Sequence, residues 1–182
     1  MPQRKSPDPV SHAGSGPAEL SYGVVPLAEI DNPVLQQGMA YWRGLCGERK
    51  FPSRAEVTPR GILGLLRYTK LVRVIDGGRD YECRTAGDAY VMAHGYSFQG
   101  KYLSEIKPLV PTYANTVKAV YDRVVKTAAP VAIRGWVARG NHRGEHIYTE
   151  GVYLPLGPDG QTVDHVLVFA VFVPRERFDK AP

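Results

Sequence analysis

At 182 residues, with 43% hydrophobic and 23% charged side chains, the chain is long enough for one domain with its own core and short for two. The longest apolar run, 166–173, falls far below the roughly 20 residues of a membrane helix, and Arg4 and Lys5 precede no apolar stretch of a secretory signal. Two cysteines, Cys46 and Cys83, make no disulfide framework, so a cytoplasmic protein with no membrane partner is expected.

The net charge of +5 is unevenly placed. Eight basic residues (Arg43, Arg49, Lys50, Arg54, Arg60, Arg67, Lys70 and Arg73) share the segment 43–73 with two acids, Glu48 and Glu56. This reads either as a surface for an anionic partner or as a solvated rim. Aromatics of the kind that stack on bases are not interleaved there, so nucleic acid is not an expected partner.

Residues 1–28 begin rich in Pro, Ser and Gly and are expected to form a tail. Asn32 and Pro33 then supply a cap and a first-turn proline. Val34, Leu35, Gly38, Met39, Tyr41, Trp42, Leu45 and Cys46 recur at helical spacing, and Gly47 closes the helix. Thr58-Pro59 opens a shorter helix to about residue 66, the two making an N-terminal helical extension over 29–66. The period changes at 71–75 and 80–84, two strands joined by the turn Asp76-Gly77-Gly78-Arg79. Short helical turns fill 88–106, broken by Gly95 and Gly100. A cleaner helix then carries Tyr113, Val117, Val120, Tyr121 and Val124 on one face until Pro130 stops it. Strands at 131–138, 145–154 and 162–173 complete the chain, with turns at 140–144 and 157–160. Strands joined by short turns pair antiparallel. The expected fold class is therefore α+β, a five-stranded antiparallel sheet with a central helical belt over 67–175 and a tail at 176–182.

Asn32-Pro33 with Tyr41-Trp42, Pro52-Ser53-Arg54 with Thr58-Pro59, Asp76-Gly77-Gly78, Arg84 with Ala86-Gly87, Gly95 with Gly100, and Leu154-Pro155-Leu156 occur in an order that resembles the PAS-like family found as small stand-alone proteins in proteobacteria. The match runs from about residue 31 to 173. Thr85 departs from it, standing where the family tends to have an aliphatic residue, which points to a more polar ligand if it faces the cavity. The resemblance implies a five-stranded sheet curving over short helices around a cavity. It also implies non-catalytic signal transduction through a small ligand or protein contacts. No kinase, cyclase or DNA-binding segment follows Val173, so output is expected through a separate effector protein or a second copy.

Each chemical motif in the sequence has a plainer structural role beside it. Gly95-Tyr96-Ser97-Phe98-Gln99-Gly100-Lys101-Tyr102 nearly spells a phosphate loop, but Tyr102 stands where a Mg²⁺-binding hydroxyl is needed and a helix, not a strand, is expected before it. His142, His146 and Glu150 cannot chelate one ion alone, since strand residues four apart are about 13 Å apart. His94 reads as a helix-end cap or, less simply, a haem ligand. Cys83 lacks the surroundings of a photoreactive cysteine. The sequence thus offers no metal site and no catalytic group, and it names no cofactor.

Tyr81, Tyr90, Phe98, Tyr102, Tyr121, Trp136 and Tyr148 are the candidate lining of a ligand pocket, the alternative being a filled core. Arg84 is the candidate anchor for an anionic ligand, its alternative an internal pair with Asp88 or Glu105. A small enzyme acting on a carboxylate or phosphate compound in the same pocket is the second functional reading. Finally, the apolar face of the first helix is wider than the roughly 100° that a core needs. Leu35, Met39, Trp42 and Tyr41 are therefore candidates for a homodimer contact, unless the segment after Gly47 folds back over them.

Overall fold

The computed structural model of the chain describes residues 22–138 and 146–174. Asn32 accepts the Val34 N–H at 3.0 Å and Pro33 occupies the first turn, so α1 (Pro33–Cys46) starts and stops where its caps dictate. Among the described residues, six strands form one antiparallel sheet: β1 (Tyr22–Val25), β2 (Thr69–Ile75), β3 (Asp80–Ala86), β4 (Val131–Ala138), β5 (His146–Leu156) and β6 (His165–Pro174), in the order β1-β4-β5-β6-β2-β3. The β2–β3 turn is tight because Asp76, Gly77 and Gly78 all take positive φ.

Alternation along the strands gives the sheet two different faces. Val168, Ala170 and Phe172 of β6 lie beneath a belt made of α2 (Asp88–His94), α3 (Leu103–Ile106) and α4 (Pro111–Thr127). Phe169, between them in the sequence, points the other way and receives α1. Gly38 lets that helix sit flat on the Phe169 ring, and the Trp42 indole N–H donates to the Pro155 carbonyl at 2.9 Å. Leu35, Met39, Trp42 and Cys46 are buried in the same core as the strands.

The structure departs from the sequence reading at the N-terminal side. β1, assigned to the tail, is a sixth strand whose residues Tyr22 to Val25 pair with Gly135 to Ala132. The 29–66 segment is not an outer extension, because α1 covers one face of the sheet and closes the core there. This removes the surface on which the dimer reading rested. Leu35, Met39 and Trp42 are 0%, 5% and 6% exposed within the single chain. Tyr41 is half-buried beside Gly61, its hydroxyl accepting the Thr58 N–H at 3.3 Å, so the segment after Gly47 does fold back. The second helix expected at 58–66 is instead a run of turns followed by one 3₁₀ helix, Leu63–Tyr68; another short 3₁₀ turn, Arg54–Glu56, precedes it. Pro59 and Gly61 before Leu63, and Gly64 within the 3₁₀ helix, weaken α-helix propagation there. Residues 1–20, the 140–144 turn with His142, and 176–182 lie outside the described residues.

Two outcomes follow. Gly38→Val should lower stability by about 1–3 kcal/mol in chemical denaturation, because any Cβ there overlaps the Phe169 ring; an unchanged midpoint would mean that α1 is not docked. The Arg49 guanidinium, paired with both Glu56 oxygens at 2.7 and 2.8 Å, holds that carboxyl at about 2 with help from the Ser53 backbone. A carboxyl lowered in the folded state stabilises fully above its unfolded value near 4.5 and stops doing so as pH falls through about 2. An NMR titration should show Glu56 shifting upward in Arg49→Ala, and an unmoved titration would assign the effect to Ser53 alone.

Candidate ligand site around a buried lysine

In β2, Lys70 shares its parity with Val72 and therefore points under the helical belt, where it is 4% exposed. Its Nζ donates to the Tyr113 hydroxyl at 2.9 Å. The rings of Tyr113, Tyr90, Phe98 and Tyr121 surround it, their centroids 5.4, 5.7, 5.8 and 5.8 Å from the nitrogen. Tyr90 comes from α2, Phe98 from the loop after it, and Tyr113 and Tyr121 from the buried face of α4, two turns apart. Phe98 stacks on Tyr113, with centroids 5.0 Å apart and planes at 7°. His94 packs its ring against Tyr113, Phe98 and Phe172 at 4.6 to 5.6 Å.

No carboxylate among the described residues forms an ion pair with Lys70. Burying an ammonium costs several kcal/mol even after relaxation. A desolvated cation–π contact returns up to about 2 kcal/mol per ring, and a hydrogen bond to a charged group about 1.5–3 kcal/mol. Burial alone pushes the lysine towards losing its proton; the oxygens of Tyr113 and Tyr121 oppose this and prevail, leaving its pKa well above the ordinary lysine value. The hydrogen bond to Tyr113 and the surrounding ring faces favour the ammonium form. The same burial raises the phenols of Tyr90, Tyr121 and Tyr153, which stay neutral.

Lys70 lines two small cavities. The larger, of about 20 Å³, is walled by Tyr90, Tyr113, Tyr121, Tyr153 and Phe172 among others. The smaller, of about 10 Å³, lies towards Tyr81, Cys83 and Phe98. Each has space for occupants the size of one or two waters rather than for a metabolite-sized ligand. Neither has a carboxylate in its wall. The Tyr90 hydroxyl is buried without a hydrogen-bond partner among the described residues.

The structure brings some of the sequence candidates together and separates others. Tyr90, Phe98 and Tyr121 ring the lysine, and Tyr81 borders the smaller cavity, its hydroxyl donating to Asp122 at 2.6 Å. Arg84 is on the opposite face of the sheet. It pairs with Glu82 at 2.6 Å, neither Asp88 nor Glu105, and Arg73 holds the same carboxylate at 2.7 Å. Trp136 and Tyr148 also belong to that outer face, an edge-to-face pair with centroids 5.6 Å apart. Tyr102 is half-buried beside β3, where it bridges to Glu82 through the backbone. Parity explains these placements, since Glu82 and Arg84 alternate with the inward Tyr81 and Cys83, and Trp136 with Val137.

The anchor that sequence reasoning missed is Lys70, which was counted with the surface charge. Lys70 precedes the strand expected at 71–75; β2 extends to include it, and on that strand Lys70 and Arg73, three apart, face opposite sides of the sheet. Gly95 ends α2 in the left-handed conformation, so the phosphate-loop-like stretch follows a helix, as expected. Among the described residues no cluster of His, Cys, Asp or Glu could hold a metal ion, and no helix is long and apolar enough to cross a membrane.

Sheet, belt and enclosed polar interior define the class, an α+β module whose chemistry lies under its helices. A family model described as a PAS domain matches residues 30–169, and the chain belongs to that family. The match includes all of α1. Comparison with curated proteins finds no match, and neither does comparison with solved structures. PAS domains are in general sensory and signalling modules.

Because neutral replacement of a buried charge is commonly tolerated, Lys70→Met should be as stable as the wild type or up to about 4 kcal/mol more so. Tyr113→Phe should cost about 1–3 kcal/mol in the wild-type background by stranding a donor, and much less in Lys70→Met. Equal costs in both backgrounds would refute the Lys70–Tyr113 coupling.

Proposed function

We propose that the protein is a non-catalytic sensory module that binds a small ligand at the Lys70 cage and signals in the cytoplasm to a separate effector protein. One observation carries this reading: a lysine with no carboxylate partner among the described residues is held under the belt where an apolar residue would serve stability as well. Charged groups retained in the interior against their solvation preference concentrate at functional positions. Its surroundings also suit transmission, since the cage joins a central strand to the short α2, the loop after it, and α4. An organic ligand larger than the cavity enters only if that belt shifts, and the shift is the signal. Two buried cysteines with free thiols suit a reducing compartment. The alternative, an enzyme acting on an anionic compound, relied on Arg84 as its anchor, and that residue is across the sheet with Glu82.

The test is a thermal-shift screen of metabolites on the full chain and on Lys70→Met, with each hit followed for chemical conversion. The sensory reading expects a compound that stabilises the wild type, leaves Lys70→Met unmoved and is recovered unchanged. Conversion of the hit would favour the enzyme, and equal stabilisation of both proteins would remove the lysine from the site.

A further inference from the structure

The polar groups around the larger cavity are mismatched in kind. Lys70 has three N–H bonds; one donates to the Tyr113 hydroxyl at 2.9 Å and another is directed at the Tyr121 hydroxyl. The Tyr90 O–H has no partner among the described residues, though both side chains line the same space. Thr149, also in the wall, has its hydroxyl committed to the Val171 carbonyl at 3.2 Å. The wall holds no carboxylate to balance the lysine charge; its other polar side chains are His94, Thr116 and the phenols of Tyr113, Tyr121 and Tyr153. The site therefore holds an unbalanced lysine side chain and, in the Tyr90 hydroxyl, a donor with no partner among the described residues, with space for one or two water-sized positions. Ring faces stabilise the ammonium but cannot neutralise it.

We infer that the Lys70 cavity binds a small monovalent anion, of the size of chloride or formate, held by the Lys70 ammonium and the Tyr90 hydroxyl. The inference rests on the sensory reading of the same site and narrows its ligand class. Charge selects the anion, volume excludes larger carboxylates from the undisturbed cavity, and the aromatic wall excludes strongly hydrated divalent anions such as sulfate or phosphate.

The experiment measures thermal unfolding of the full chain in sodium formate and sodium chloride at constant ionic strength, with sodium gluconate as the balancing salt. The expected result is a saturable rise in the unfolding midpoint with at least one of the two small anions. The rise should vanish in Lys70→Met, and Tyr90→Phe should shift the half-saturating concentration upward about tenfold, the effect of one hydrogen bond to a charged group. Midpoints that do not respond beyond gluconate, or that respond equally in Lys70→Met, would overturn the assignment. Circular dichroism of each variant in gluconate establishes that it is folded. If small anions fail while a larger metabolite stabilises only the wild type, the anion assignment falls and the sensory reading stands. If an anion binds through Lys70 but amide exchange across 88–106 is unchanged, the anion site stands and the sensory reading falls.

Discussion

The ammonium of Lys70, held under the belt by a tyrosine oxygen and four aromatic rings, is the interaction on which the interior is organised. A buried charge tolerates few arrangements, because a ring that moves away leaves the cation without compensation. Tyr113 and Tyr121 fix the rotation of α4 about its axis. Tyr90 fixes α2, and Phe98 fixes the loop between belt helices by stacking on Tyr113. The opposite face of the sheet is governed by ordinary close packing. There Gly38 and Phe169 set the approach of α1, and no charge enters the contact.

The protein's other charge pairs show why Lys70 stands apart. Arg73 and Arg84 reach Glu82 from the solvent side of the sheet, and both arginines are about half exposed. Water reaches these pairs through the arginines, so they weaken with salt. Arg134 and Glu150 make a closer pair across β4 and β5, with Arg134 also reaching the Glu29 carbonyl at 2.8 Å near the start of α1. These contacts bind surface elements together. They do not constrain the interior, where screening by water is lost and the same charge becomes several times more consequential.

Local signals in the sequence carried far. The Asn32-Pro33 cap, Gly47, the glycine-rich turn at 76–78 and the two-face pattern of 111–127 each act within a few residues, and the structure follows them closely. β1 was illegible because a four-residue strand has too little pattern of its own and exists only through the open edge of β4. The role of α1 in the core was likewise long-range, since a wide apolar face does not say which of its rows meets the sheet and which a returning segment covers. Of the site, the aromatic composition was readable. Its membership was not, because choosing Tyr90, Phe98 and Tyr121 over Trp136 and Tyr148 requires the parity of each strand. Lys70 was hidden by the ordinary rule that lysines face water, which the alternation of β2 overrides.

A charged, enclosed Lys70 is tested most directly by nitrogen NMR of the lysine side chains in the full chain. Lys70 Nζ should give the signal of an ammonium bearing three protons. It should be correlated with Tyr113, exchange with solvent far more slowly than exposed Lys107, and persist as pH is raised past 10. A neutral amine at neutral pH, or an ammonium exchanging as fast as Lys107, would contradict it.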